Sequence, residues 1–141
     1  MKKSTMLTIG IFSSLIAFGQ DTKQTVIIRN LENAKGNLYV GWYNQPGTFR
    51  INEKAIYREK IVVNNQKEIS VDFKNIPEGK YAVAVFLDEN DNYKLDRNIF
   101  GVPKEKYGFS NNVLPALRAA TFEESVFKLN KQSLIININL K

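Results

Sequence analysis

Apolar and polar residues alternate with a period of two along much of this chain, the pattern of strands that bury one face. The last segment is the clearest case. Leu134, Ile136, Ile138 and Leu140 fall on one side, with Asn137 and Asn139 on the other. Ile69, Val71 and Phe73 against Glu68, Ser70 and Asp72 predict a second half-buried strand, and Val26 with Ile28 marks a shorter one over residues 25–30. Residues 37–43 alternate too, Leu38, Val40 and Trp42 opposing Tyr39, Gly41 and Tyr43. Residues 81–87 differ, because Val83, Val85 and Leu87 are apolar and so are Ala82, Ala84 and Phe86. A strand apolar on both faces belongs in the middle of its sheet, with one face packed and the other at least partly covered. Val83, Val85 and Leu87 are therefore expected at the centre of the core, with Trp42, Phe73 and Ile136 as neighbours.

Turn chemistry separates these runs. Residues 33–36 supply one turn, Pro46-Gly47 ends the strand before it, and residues 77–79 open the central strand. Residues 48–57 have no clean period; Phe49, Ile51 and Ile56 pin them to the core as a loop or a short turn of helix. Residues 59–63, the Asn64-Asn65-Gln66 turn and residues 67–73 read as a hairpin. Residues 125–129 form a further short strand. No helical period is sustained anywhere, and Pro115 limits the one candidate, residues 112–121, to a turn or two. About seven short strands joined by Gly, Pro and Asn turns predict an all-β fold: a single antiparallel β-sandwich of immunoglobulin or transthyretin type.

The N-terminus changes the picture of where the domain works. Lys2 and Lys3, an apolar run from Met6 to Phe18, and Ala17-Phe18-Gly19 before Gln20 have the layout of a signal peptide. Residues 1–19 are thus expected to be removed. Of 141 residues this leaves 122, numbers 20–141, enough for one domain with its own core. The mature chain is expected to be exported, periplasmic or extracellular, and without a transmembrane segment. The chain has no cysteine, which excludes lipid attachment at a lipobox cysteine, disulfides and thiol catalysis. The net charge of +6 includes Lys2 and Lys3 and becomes +4 without them. The remaining basic residues are scattered singly, so nucleic acid is not expected as a partner.

Histidine is absent as well, which removes the commonest general base and nearly all zinc sites. An enzyme would have to use carboxylates, lysines or tyrosines. What the chain does offer is a loop directly after the central strand, carrying Asp88, Asn90, Asn92 and Asp96. With Asp88 as position 1, Asn90 is 3, Asn92 is 5, the Lys94 carbonyl is 7 and Asp96 is 9, the phase of an EF-hand loop. Position 6 is Tyr93 where such loops use glycine, and position 12 is Ile99, so the bidentate acid is missing there; Glu105 or a backbone carbonyl could supply it after the turn at Gly101. Calcium is the expected ion, held weakly as in extracellular modules. A second rich segment, Gly101 to Asn112, predicts a ligand rim of Tyr107, Phe109, Ser110 and Asn111, polar groups beside aromatics that suit a small molecule, a glycan or a peptide. The reading is an exported, non-enzymatic module that binds an unidentified small-molecule, glycan or envelope-protein partner. The alternative is a small hydrolase using Asp88, Asp96 or Glu105.

These same residues carry a resemblance. Pro77-Glu78-Gly79-Lys80-Tyr81-Ala82-Val83-Ala84-Val85-Phe86, Asp88-Glu89-Asn90-Asp91-Asn92, Lys94-Leu95-Asp96, Gly101-Val102-Pro103-Lys104-Glu105 and Gly108-Phe109-Ser110-Asn111-Asn112 resemble the signature of a bacterial secreted family catalogued as domain of unknown function 2141. Phe122-Glu123-Glu124 is similar to a later motif of that family. The chain departs from the pattern at Asp91 and Tyr93, where the family often has glycine. The resemblance implies export and a β-sandwich and brings no established activity. Pro77-Glu78-Gly79-Lys80-Tyr81 is also similar to the turn-and-strand entry of transthyretin-like and carboxypeptidase-regulatory-like modules, a likeness of fold alone.

Overall fold

The structure, a computed structural model, describes residues 21–141; the expected signal peptide lies outside the described residues. Two sheets pack as a sandwich. The smaller has the order β4-β1-β8, built from β1 (Lys23–Arg29), β4 (Glu68–Lys74) and β8 (Leu134–Asn139). The larger has five strands: β2 (Lys35–Tyr43), β3 (Tyr57–Asn64), β5 (Gly79–Asp88), β6 (Tyr107–Phe109) and β7 (Phe127–Leu129). Its order is β3-β2-β5-β6, with β7 also paired to β5. A single turn of helix, α1 (Phe122–Ser125), precedes β7.

The central place of β5 follows from its two apolar faces. One edge pairs with β2 from Ala82 to Asp88, and the other takes β7 at Gly79–Tyr81 and β6 at Ala84–Phe86. Its inward residues Val83, Val85 and Leu87 lie in the core cluster with Trp42, Phe73 and Ile136, the neighbours the sequence predicts. Trp42 is fully buried and meets the rings of Phe73, Tyr81 and Phe127 at 5.5–5.8 Å between centroids. The outward residues Ala82 and Ala84 belong to a second cluster, with Tyr43, Phe49 and Phe109, formed where loops fold over the outer face.

The Pro77–Tyr81 motif has a local cause. The Tyr81 hydroxyl donates to the Pro77 carbonyl at 3.0 Å, closing the turn that feeds β5. Gly79 leaves space for that ring, because a Cβ there would sit 3.2 Å from Tyr81 Cε2. Burying the ring while its hydroxyl satisfies a loop carbonyl avoids an unpaired polar group.

Four expectations need correction. Residues 59–63 and 67–73 are not a hairpin: β3 pairs with β2 and β4 with β1, so the turn at 64–66 carries the chain from one sheet to the other. Each strand finds a partner that buries its apolar side, and the local turn cannot determine which. The sandwich is not wholly antiparallel, since β8 runs parallel to β1 from Gln24↔Leu134 to Arg29↔Asn139. Buried Gln24 fixes this pairing by accepting the Leu134 N–H at 2.9 Å and donating to the Gln132 carbonyl at 3.3 Å. The third concerns helix. Of residues 112–121 only Asn112 falls in a helical turn, the end of the short turn Ser110–Asn112, and α1 starts after the segment, where Thr121 caps it and Glu124 completes a capping box. Residues 48–57 do hold a short helical turn, Asn52–Lys54, after another at Pro46–Thr48, but of the three residues expected to pin them only Phe49 is buried, and Ile51 and Ile56 are exposed.

Candidate functional site

The loop leaving β5 is organised by buried carboxylates. Asp88 is fully buried at the strand end; its Oδ1 accepts the Asn92 N–H at 3.1 Å and its Oδ2 the Tyr93 N–H at 2.8 Å. These bonds curl the chain until Asn90 and Asn92 face Asp96, whose two oxygens accept from Asn90 Nδ2 at 2.6 Å and Asn92 Nδ2 at 2.8 Å. Asn92 Oδ1 in turn accepts the Lys94 N–H at 2.9 Å. Glu105 is also buried and staples the loop from behind, accepting the Glu89 N–H at 2.9 Å and the Asp96 N–H at 2.8 Å. Carboxylates that accept two main-chain N–H groups make strong, charge-assisted bonds. The structure therefore brings Asp88, Asn90, Asn92, Asp96 and Glu105 together, with Lys94 in the same turn. Among the described residues no cluster of three or more acidic, histidine or cysteine side chains is arranged to hold a metal ion.

The two departures from glycine acquire an explanation here. Asp91 has φ +58° and Tyr93 φ +65°, the left-handed region that favours glycine. Both side chains latch the loop onto the sheet. Asn37 Nδ2 donates to Asp91 Oδ1 at 2.8 Å, Lys60 Nζ stands 3.7 Å from the same oxygen, and that ammonium lies 5.1 Å from the Tyr93 ring centroid and 5.6 Å from the Tyr39 ring centroid. Gly36 on β2 lies against the loop's root: it has φ +140°, and a Cβ would collide with the Asp88 carbonyl oxygen.

Of the predicted rim, Tyr107 and Phe109 line a cleft of about 680 Å³ on the outer face of the larger sheet. Ser110 and Asn111 do not. The buried Ser110 hydroxyl accepts the Val83 N–H at 2.9 Å and donates to the Ser125 carbonyl, while Asn111 Nδ2 reaches the carbonyls of Glu124 and Val126. Both residues thus tie α1 and β7 to the central strand. The cleft floor is Tyr43, Ala84, Phe86, Tyr107 and Phe109, and its walls are residues 50–53, 93–95, Arg97, 100–103 and 115–119. Gly41 lets the floor form, since a Cβ there would stand 2.8 Å from the Tyr43 hydroxyl and 3.1 Å from Ala55 Cβ. Burial pushes the Tyr43 phenol up to about 12, helped by the negative charge of Glu53.

Sequence reasoning did not single out Arg50, Arg97 or Lys141 of this cleft and named Lys94 as a site residue only for its carbonyl. Arg50, Lys94 and Arg97 line it without an ion-pair partner among the described residues, whereas Arg118 forks onto Glu124 with two bonds of 2.7 Å. That fork, with the Thr121 N–H, holds the Glu124 carboxyl down at about 2. No motif marks Arg50 or Arg97; only the fold places them together. Among the described residues, no helix is long and apolar enough to cross a membrane.

Comparison with curated proteins and with solved structures gave no match in either case. The buried Asp88, the Gly79–Tyr81 turn and the Glu105 staple all fall inside residues 26–137, the span matched by the model of the family described as "Uncharacterized protein conserved in bacteria (DUF2141)", and the chain belongs to that family.

Proposed function

We propose that this protein is an exported, non-enzymatic binding or accessory module of the cell envelope, with a sandwich of immunoglobulin or transthyretin kind that calcium stabilises through residues 88–96. Lys2, Lys3, the apolar run after them and Ala17-Phe18-Gly19 support export. The single observation that carries the calcium reading is buried Asp88 winding the loop so that Asn90 and Asn92 meet Asp96. A half-turn of the Asn90 amide presents its oxygen in place of its NH2, while Asn92 Oδ1 already lies within the loop at the Lys94 N–H, and oxygen is the ligand a hard cation takes. Asp96 and the remaining lone pairs of Asp88 supply the charge. Two carboxylates give a weak site, with Kd on the order of 10⁻⁴ to 10⁻³ M as in extracellular modules.

The alternative, a hydrolase working through Asp88, Asp96 or Glu105, draws no support from the geometry. None of the three lines the cleft, and each is engaged by N–H donors of its own loop.

Thermal melts in chelator and in millimolar calcium test the proposal. An ion that binds only the folded form stabilises by RT ln(1 + [L]/Kd), roughly 0.4–1.4 kcal/mol at 1 mM. Asp96→Ala should abolish the calcium-dependent part, and Glu89→Ala, on an exposed side chain at position 2, should leave it intact. Superimposable wild-type curves would return the loop to being a carboxylate-stapled turn.

A further inference from the structure

The outer face of β5 is where an ordinary two-layer sandwich would meet water. Here it carries an open cleft of about 680 Å³, inside the usual range for small-molecule sites, roughly 300–1,000 Å³. Its floor is apolar and aromatic, through Phe86, Tyr107 and Phe109.

Five of the nine large exposed apolar side chains among the described residues line it, while Ile56, Val62, Ile99 and Ile135 do not. Ile51, Tyr93, Phe100, Val102 and Leu117 line the cleft with relative exposures of 39%, 55%, 82%, 55% and 100%. Scattered exposed apolar residues need no explanation, but a contiguous group around a concavity marks a binding site.

Charge selects the class of ligand. Arg50, Lys94, Arg97 and Lys141 line the cleft and have no ion-pair partner among the described residues, and Arg97 spends one Nη1 hydrogen on the Gly101 carbonyl at 3.0 Å. Glu53 is the acidic side chain facing them. Guanidinium groups present forked donors that match a carboxylate, and the Tyr43 hydroxyl adds a neutral donor at the floor. A purely apolar ligand would leave these cations without a role, and a cationic one would be repelled.

We propose that the cleft binds a single-chain amphiphile with an anionic head, of the acyl-carboxylate class, its chain on Phe86, Tyr107 and Phe109 and its head at Arg50 and Arg97. This rests on the reading of the domain as a binding module, and it is independent of the calcium loop.

Calorimetric titration with monomeric dodecanoate tests it. The titration is run in chelator, which keeps calcium soaps from forming and separates this outcome from the melts that test the calcium site. One equivalent should bind, and dodecyltrimethylammonium should not. Arg50→Gln and Arg97→Gln should each weaken dodecanoate about tenfold, the value of one charge-assisted bond in a partly exposed site. Arg50→Gln serves as the variant that leaves the loop bond to Gly101 in place, and an unchanged melt shows that it folds. Absence of dodecanoate binding, equal binding of the cationic homologue, or indifference to both substitutions would overturn the proposal. So would sedimentation with vesicles of mixed neutral and anionic phospholipid in the absence of dodecanoate binding, which would assign the exposed apolar residues to a membrane surface. A calcium-dependent melt together with a silent titration would reject this ligand class alone.

Discussion

Replacing Tyr93 by alanine and by glycine isolates the backbone strain stored in the 88–96 loop. Both substitutions delete the same ring, with its contact to the Lys60 ammonium and its tilted approach to Tyr39 at 6.2 Å. The difference between them is therefore a backbone term. At an ordinary loop position alanine is the more stable of the two by about 0.4–1 kcal/mol, because it restricts the unfolded chain. Tyr93 has φ +65°, where a Cβ crowds the carbonyl oxygen at a cost of about 1–2 kcal/mol that glycine escapes. Subtracting the unfolded-state advantage leaves glycine ahead by about 1 kcal/mol, roughly 3–5 °C in melting temperature for a domain of this size. The order of alanine and glycine should thus invert. Asn90 supplies the control: its φ is not positive, both substitutions lose the same bond to Asp96, and alanine should be the more stable. Urea unfolding followed through the single, fully buried Trp42 measures both pairs, in chelator so that no ion contributes. If Tyr93→Ala proves as stable as Tyr93→Gly, the loop is not held in the left-handed region and the account of its two departures from glycine fails.

Val85 is 1% exposed on the central strand, so Val85→Asp should bury an unpaired charge and abolish cooperative unfolding at physiological temperature; a wild-type melt for this variant would refute a core centred on β5. Glu124 should titrate near 2 by NMR, and Arg118→Gln should move it back toward its ordinary 4.5, since the Arg118 fork is the largest cause of the shift. Because the folded value is the lower one, whatever stability this group contributes is present above pH 4.5 and lost as pH falls toward 2. A wild-type Glu124 titrating at 4.5 would mean that the fork does not persist in solution.

Legibility in the sequence followed the range of the interactions concerned. The strand alternations, the two-faced β5 and the phase of Asp88, Asn90, Asn92 and Asp96 are local patterns, and the structure places these strands and gathers these four residues. Aromatic and polar residues clustered between Gly101 and Asn112 were legible too. That Tyr107 and Phe109 face a cleft while Ser110 and Asn111 bind main-chain carbonyls was not, because this depends on α1 and β7 returning to the edge of β5.

By itself the sequence determined that the chain folds as strands, which strand is central, and where a carboxylate-rich loop follows it, because side-chain period and turn chemistry act between near neighbours. Tertiary structure decided the partners. The turn at Asn64-Asn65-Gln66 reverses the chain whichever sheet receives it, and only the competition to bury Val63 and Val71 sends β3 to β2 and β4 to β1. The parallel pairing of β1 with β8 joins segments about a hundred residues apart, a closure that no local signal specifies and that burial of both apolar faces stabilises. Arg50 and Arg97 are likewise unremarkable in sequence. They share a cleft because the loops that carry them cover the same outer face of β5, whose apolar residues cannot be left to water.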